Sequence, residues 1–302
     1  MASSQWSLVG EGEIFIGPRS GGPLRAVGQV KEFKIDVSEE TKEMKNYQGG
    51  GGLADQVSWI SKIDASLNFL SLSAKNLAMA MRGEITALVA GAVTKAHTAY
   101  AGGFLPLEGI GPRAVTVTVD PPAWSDTTAK VIGDIVKPTA GTHFYKATAA
   151  GNTGGTEPAS WPTDGSTVTD GTVTWMDMGT MLLVAGNFET KSAGIFIPED
   201  SAKIAVTGTP VEVSYTKTAG TIIQALVNAA GEYRVFFSGT NLAREGQPLA
   251  VDLYRVKFSP PKDLSFIGDD FAGLTLTGSV LKDDTRSGFK ISSFCAIKMA
   301  EE

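Results

Sequence analysis

Four consecutive glycines are the first candidate for chemistry in this sequence; they lie at Gly49–Gly52, inside YQGGGGLADQ. Gly49, Gly51 and Ala54 fit the G-x-G-x-x-A spacing of a dinucleotide-binding turn, in which backbone amides and a helix N-terminus hold a pyrophosphate. Such a turn follows a strand and begins a helix. Here the charged segment ETKEMKN precedes the glycines and a strand-like segment follows them. The sequence therefore predicts no nucleotide site and no cofactor.

Residue types for nucleophilic or metal chemistry are scarce. The chain has two histidines, His97 and His143, one cysteine, Cys295, and no G-x-S-x-G nucleophile motif. One thiol and two distant imidazoles cannot supply the four ligands of a tetrahedral zinc site. We therefore predict no catalytic residue, no metal ligand and no enzymatic activity.

The composition is that of a globular protein, with 42% hydrophobic and 19% charged residues. The net charge of −6 disfavours a general nucleic-acid binder, because phosphate binding needs a cationic surface. The start, MASSQWSLVG, has neither the basic nor the apolar region of a signal peptide. The longest apolar run, ITALVAGAV, is far shorter than the ~20 residues of a membrane helix. We expect a soluble protein made in a cytoplasm, with no membrane partner.

The elements that must position these residues are predicted to be mainly strands. In KEFKIDV and KIDASLNFL, apolar and polar residues alternate, which is typical of half-buried strands. Asp36 and Asp64 fall on the polar faces of these two strands. In LAVDLYRVKF the alternation slips at Leu253 and Tyr254, which predicts either a β-bulge or a strand that is packed on both faces. The one convincing helix begins after Ser73, an N-cap residue, and covers AKNLAMAMR.

Between the first two strands lies a long polar stretch, residues 38–58. It is too long for an ordinary hairpin turn of ~2–5 residues, and we predict a long loop there. Long loops inside compact domains are usually functional or disordered.

Residues 121–179 differ in composition from the rest of the chain, with short strand-like groups and three of the five Trp residues, and are predicted to form a small inserted β module. Pro121 and Pro122 make a stiff entry, and TDGS and TDGT each contain an Asp-Gly pair typical of tight hairpins. The flanking residues 1–120 and 180–302 then form one discontinuous β domain. Aromatic residues in the module, Tyr145, Trp161 and Trp175 among them, can either stack on sugars or make the core of the module.

Two segments resemble the major tail tube proteins of long, non-contractile-tailed bacteriophages. The first is the C-terminal segment YRVFFSGTNLAREGQPLAVDLYRVKFSPPKDLSFIGDDFAGLTLTGSVLKDD. The second is near the N-terminus, where the elements follow in the same order: a strand, the loop VSEETKEMKNY, the strand KIDASLNFLSLS and the helix AKNLAMAMRGE. The resemblance covers residues 5–120 and 180–298. The segment GTHFYKAT…TVTDGTVTW resembles a small immunoglobulin-like or carbohydrate-binding-like module. The resemblance implies a tail-tube β-sandwich or barrel with a short helix and a long loop, plus the small inserted β domain.

For function, the resemblance implies a structural virion protein of the phage tail, assembled in the bacterial host cytoplasm. Its partners would be copies of itself in stacked hexameric rings, the tape measure protein and the tail terminator and tip proteins. DNA would pass through the lumen without specific binding. Asp36 and Asp64 are candidates for the lumen face. The candidate residues for contact between rings lie in the long loop: Glu39, Glu40, Lys42, Glu43, Lys45, Gly49, Gly50, Gly51 and Gly52.

Three alternatives stay open at this point. The glycines can be the flexible tip of a hairpin with no partner. The protein can instead be a virion-surface or secreted carbohydrate-binding protein, with glycan contacts at Tyr145, Trp161 and Trp175. A phage head or tail-tip protein with a related β fold is the third interpretation.

Overall fold

The structure is a computed structural model that describes residues 7–269 and 271–300. The described residues contain 22 strands, one α-helix and one short 3-10 helix. The predicted mainly-β fold is therefore confirmed. None of the sheets in this part of the chain closes into a barrel.

In chain order, the strands before residue 120 are β1 (Gly10–Pro18), β2 (Arg25–Ala26), β3 (Val30–Lys45), β4 (Leu53–Phe69), β5 (Glu84–Leu88), β6 (Gly91–Ala99), β7 (Phe104–Pro106) and β8 (Arg113–Val119), with α1 (Ala74–Ala80) between β4 and β5. The next are β9 (Ala129–Lys130), β10 (Ile135–Val136), β11 (His143–Ala149), β12 (Gly151–Asn152), β13 (Thr167–Asp170), β14 (Val173–Thr180), β15 (Glu189–Lys191) and β16 (Gly194–Phe196). The last are β17 (Thr209–Lys217), β18 (Gly220–Gln224), β19 (Glu232–Asn241), β20 (Gln247–Phe258), β21 (Leu274–Val280) and β22 (Cys295–Met299), with the 3-10 helix at Leu242–Arg244.

The chain divides into two compact units. The first unit contains the residues up to Thr86 and those from Ile222 onward, and the second is Ala87–Thr221. The chain passes from the first unit to the second within β5 and returns within β18.

The first unit is built on one eight-stranded sheet with the order β2-β1-β19-β20-β21-β4-β3, in which β22 also pairs with β20. Cross-strand register aligns Phe33, Leu67 and Leu276 on one face, and the two leucines are fully buried. Burial of a side chain of this size stabilises the fold by roughly 1.5–3 kcal/mol. The alternation seen in the sequence thus places one face of this sheet on the core.

A bulge interrupts the β19–β20 ladder, which is the first of the two alternatives that the sequence leaves open at Leu253 and Tyr254. Val235 pairs with Leu253 and Tyr233 pairs with Val256, so β20 has an extra residue at Tyr254–Arg255. Leu253 and Val256 both belong to the core, which requires the register shift between them.

The predicted short helix is confirmed, and Ser73 Oγ accepts a hydrogen bond from the Asn76 N–H at 3.2 Å. After the helix, Arg82 has left-handed backbone with φ of 49°. The next N–H, that of Gly83, donates to Ala78 O. Asn76 is buried, and its side-chain amide donates to two backbone carbonyls, of which Val27 O is 2.7 Å away. The amide therefore attaches the helix to the chain before β3.

The second unit contains the sheets β6-β17-β8, β15-β16-β7 and β10-β11-β14-β13 and the strand pair β12-β9. The predicted module, residues 121–179, lies entirely within this unit and includes a separate small core around Tyr145 and Trp175. Phe144, by contrast, packs in the larger core of the unit. The module boundaries at 120/121 and 179/180 therefore stay a prediction. The hairpin expected at TDGT is present, since Asp170 pairs with Val173. The one expected at TDGS was wrong, because those residues form a bend that leads into β13.

Candidate functional site

The stretch predicted as a long loop, residues 38–58, is a β-hairpin. Strands β3 and β4 remain paired from Val37–Ile63 out to Lys45–Leu53, so only residues 46–52 form a turn. We call residues 38–61 the arm. Every arm residue is solvent-exposed except Asn46, which is half-buried. The loop prediction was wrong because a ribbon with solvent on both faces has no buried side to impose an apolar alternation.

The four glycines form a defined turn at the tip of the arm. Their φ angles are 97°, 90°, 68° and 83° in order from Gly49 to Gly52, a region that side chains with a Cβ rarely adopt. The Asn46 N–H donates to Gly52 O at 3.1 Å, and Asn46 Nδ2 donates to Gly49 O at 2.9 Å. Glycine is therefore required here by backbone conformation.

The five charged residues predicted to contact another ring all lie on the arm and are exposed: Glu39, Glu40, Lys42, Glu43 and Lys45. Register places Glu40 and Lys42 opposite Trp59 and Val57, on one face of the ribbon. Alternation along β3 turns Glu39 and Glu43 to the other face. Among the residues that the structure describes, none of the five is in an ion pair, so their charges are free to meet a partner.

Sequence reasoning missed a set of apolar side chains on the arm. Met44, Leu53, Val57, Trp59 and Ile60 are 42–62% exposed. The signal was present in QVSWI, where Val57 and Trp59 are two residues apart, as on one face of a strand. The arm therefore combines exposed apolar side chains with the exposed charges.

Asp36 and Asp64, the candidate lumen residues, are directly opposite each other on β3 and β4, on the face turned away from the core. The Asp64 carboxylate forms an ion pair with Lys62 Nζ at 2.6 Å and accepts a hydrogen bond from Ser279 Oγ at 3.0 Å. The same face carries an ion pair between Lys34 and Glu32 at 2.8 Å. The polar face is therefore mixed in charge around these two carboxylates.

The cross-strand row through Asp36 extends over five strands. It runs from Asp36 to Asp64, Ser279, Lys257 and Glu232. Because the row is polar on all five strands, this face of the sheet is exposed to solvent, while the opposite face packs on the core.

Among the residues that the structure describes, the two outermost strands of the sheet have edges without a further strand. β3 and β2 are the outermost strands of the eight-stranded sheet, and β2 covers only Phe15 and Ile16 of β1. Unpaired backbone groups on a long edge such as β3 are a template for pairing with another chain.

The aromatic residues proposed to bind glycans are mostly core residues. Tyr145 and Trp175 are 1% and 0% exposed, so a sugar ring cannot reach their faces. Trp161 is half-buried and packs on Tyr145 with ring centroids 4.4 Å apart. Burial, with a smaller contribution from the charge of Asp177, raises the pKa of Tyr145 to about 12. The carbohydrate-contact hypothesis for Tyr145 and Trp175 is thus corrected, because the small module uses them as its core.

Two carboxylates organise the module. Asp170 is buried and accepts hydrogen bonds from the indole N–H groups of Trp124 and Trp175 at 2.8 and 3.1 Å. His143 Nδ1 lies 2.8 Å from Asp177 Oδ1. Burial opposes ionisation of Asp177, but hydrogen bonds from His143, Gly179 and Gly165 outweigh it and lower its pKa. Both carboxylates therefore hold turns and rings in place.

Neither metal nor membrane features stand out in the part of the chain that the structure describes. Within residues 7–269 and 271–300, no three His, Cys, Asp or Glu side chains group closely enough to hold a metal ion. Neither helix of this part has the length and apolar character that a bilayer-spanning helix needs.

Comparison with known proteins gives one family. No curated protein matches the chain. The model of a protein family matches two overlapping stretches, residues 7–148 and 130–298, which together cover most of the sequence. The chain therefore belongs to the family described as "Protein of unknown function UCP028589".

Proposed function

We propose that this protein is a structural subunit that assembles with copies of itself into stacked hexameric rings, the tail tube of a long, non-contractile-tailed phage. The tube would enclose the tape measure protein and later conduct the genome. No residue performs chemistry in this function. The function would depend on the surfaces through which subunits contact one another.

The exposed arm is the observation that supports this proposal most. Its strands extend beyond the sheet by eight residues from Ser38 to Lys45, about 25 Å at ~3.3 Å per residue. An arm of this length adds little to the core of its own subunit. It carries apolar side chains and unpaired charges, the two ingredients of a specific protein interface.

The sheet itself supports assembly into rings. A free edge on β3 can pair with a neighbouring sheet, which would remove an aggregation-prone edge from solvent. The wet face around Asp36 and Asp64 would then line the lumen. Its mixed charge gives DNA few places to bind, because a cationic surface is absent there.

Negative-stain microscopy of the purified full-length chain tests the proposal. We expect rings or tubes with a central channel at high protein concentration. A chain that stays monomeric under these conditions, and binds glycans instead, would contradict it.

A further inference from the structure

The connection between β20 and β21 carries three of the most exposed apolar side chains among the described residues. Phe266, Ile267 and Phe271 are 82%, 94% and 96% exposed. We call residues 264–269 together with Phe271 the apolar loop. A surface cluster of two aromatic rings and an isoleucine gains nothing for an isolated subunit and marks an interaction site.

The apolar loop is attached to the body of the unit at its beginning. Pro260 and Pro261 restrict the backbone before it, and Leu264 packs against the main core. Ser265 Oγ donates to Ile267 O at 2.9 Å, within the loop. The three exposed side chains are therefore presented from an anchored base.

A groove lies beyond the other end of β21. It has a volume of about 390 Å³, within the range of the smaller ligand pockets of proteins. Ile60, Ile63, Val280, Leu281 and Phe294 supply its apolar lining. We call it the end groove. It is roomy enough for an aromatic side chain and its neighbours.

Backbone hydrogen bonds fix the walls of the end groove. The Leu281 N–H donates to Arg255 O at 2.7 Å, and the Tyr254 N–H donates to Phe294 O at 3.1 Å. Ile63 and Val280 belong to the main core. The groove is thus preformed, which lowers the entropic cost of filling it.

The apolar loop and the end groove of one chain cannot meet. The loop precedes Leu274, where β21 begins, whereas the groove surrounds Val280, where β21 ends. Seven residues of extended strand separate them by roughly 20 Å. A contact between the loop of one copy and the groove of the next is heterologous, and repeated along the strand direction it generates a linear stack.

Charge favours the same match. Lys62 and Lys282 line the end groove, and their side chains are 58% and 65% exposed. Asp263 and Asp269 flank the aromatic residues of the loop. Lys282 holds an exposed ion pair with Asp284, and an exposed pair contributes little and can exchange for a carboxylate of a partner. Lys62 pairs with the half-buried Asp64 and keeps an exposed ammonium group beside the groove.

We propose that the apolar loop of one copy inserts into the end groove of a second copy, head to tail. The occupant of the groove is therefore this same chain, and Phe266, Ile267 and Phe271 are its anchor side chains. The inference rests on the proposed function in one respect, that the protein self-assembles, and it assigns a contact that the arm alone does not provide.

Disulfide trapping between two singly substituted proteins tests the contact. Both full-length chains carry Cys295→Ala to remove the native thiol; one adds Phe266→Cys and the other Leu281→Cys. Mixed under oxidising conditions at a concentration where the protein self-associates, they should give a covalent dimer. Val206→Cys replaces Phe266→Cys in the control, since Val206 is an apolar side chain with 72% exposure elsewhere in the chain. The control mixture should give at least tenfold less dimer.

The outcomes separate this inference from the proposed function. Rings or tubes without a disulfide between the Phe266→Cys and Leu281→Cys chains overturn the inference and leave the tube function intact. A disulfide-linked dimer in a protein that forms no tubes supports the inference and contradicts the tube function. A chain that does not self-associate at any concentration overturns both.

A charge variant provides a second readout that does not depend on oxidation. Phe266→Asp combined with Phe271→Asp should weaken stacking at least tenfold in sedimentation, with an unchanged thermal midpoint because both side chains are exposed. Val206→Asp should change neither quantity. Wild-type stacking by the double variant would overturn the inference.

Discussion

At the residue scale, the glycine tip shows how backbone conformation selects a residue type. A Cβ added to any of Gly49–Gly52 would meet no atom within 4 Å, so space does not demand glycine. The positive φ angles do. The sequence indicated flexibility, while the structure shows a turn in which each glycine adopts a conformation that other residues avoid.

Replacing Gly51 and Gly52 together by alanine should therefore loosen the tip. Each alanine in this left-handed region costs ~1–2 kcal/mol. Amide hydrogen exchange at Asn46, whose N–H bonds to Gly52 O, should accelerate at least tenfold. The thermal midpoint should stay unchanged because the tip is remote from the core. The Gly51→Asn, Gly52→Asn variant is the control, because asparagine tolerates positive φ better, and equal acceleration in both variants would refute the backbone explanation.

A second residue-scale prediction concerns Asp283. The Thr285 hydroxyl and the Arg19 guanidinium donate hydrogen bonds to its carboxylate at 2.7 and 2.8 Å and lower its pKa from 3.8 to about 2. Because the folded pKa is depressed, the stabilisation is present above pH 3.8 and is lost as the pH falls toward 2. Thr285→Val should raise the pKa of Asp283 toward 3.8, as followed by the carboxyl carbon chemical shift during acid titration. An unchanged titration midpoint would show that the hydroxyl has no such effect.

At the element scale, strands with one buried face could be predicted and the arm could not. Phe33, Ile35 and Leu67 alternate with polar residues because the core takes every second side chain. In residues 38–61 both faces meet solvent, so polar residues continue across both faces and only the short segment QVSWI keeps the alternation of a strand. The bulge at Tyr254 could be predicted because two core residues, Leu253 and Val256, break the period.

Some of the candidate-site residues could be assigned from the sequence and others could not. The charged residues of the arm could be predicted to be exposed, because charged side chains are rarely buried without a partner. The aromatic residues of the module could not be assigned, because the sequence alone does not tell a buried ring from a stacking platform. Only the burial of Tyr145 and Trp175 decides between the two.

Shortening the arm should separate folding from assembly. Replacing residues 41–58 by Asn-Gly, a two-residue hairpin turn, keeps the Glu40–Trp59 pair as the last rung of the ribbon. Because the removed side chains are exposed or nearly so, the thermal midpoint should change by no more than a few degrees. Polymerisation, followed by light scattering, should be lost. Tube formation at the wild-type rate by the shortened protein would show that the arm makes no essential contact.

At the scale of the whole molecule, four exposed features contribute little to the stability of a single chain. They are the arm, the free edge of β3, the apolar loop and the end groove. Each exposes apolar side chains or unpaired backbone groups that a second copy can cover. A subunit with several such surfaces gains stability by mass action as its copies assemble.

Sedimentation velocity of the full-length chain over a hundredfold concentration range tests the central claim of self-assembly most directly. We predict that sedimentation shifts with concentration from a small species to rings and then to much larger stacks. A single boundary with the mass of one chain at every concentration would contradict it.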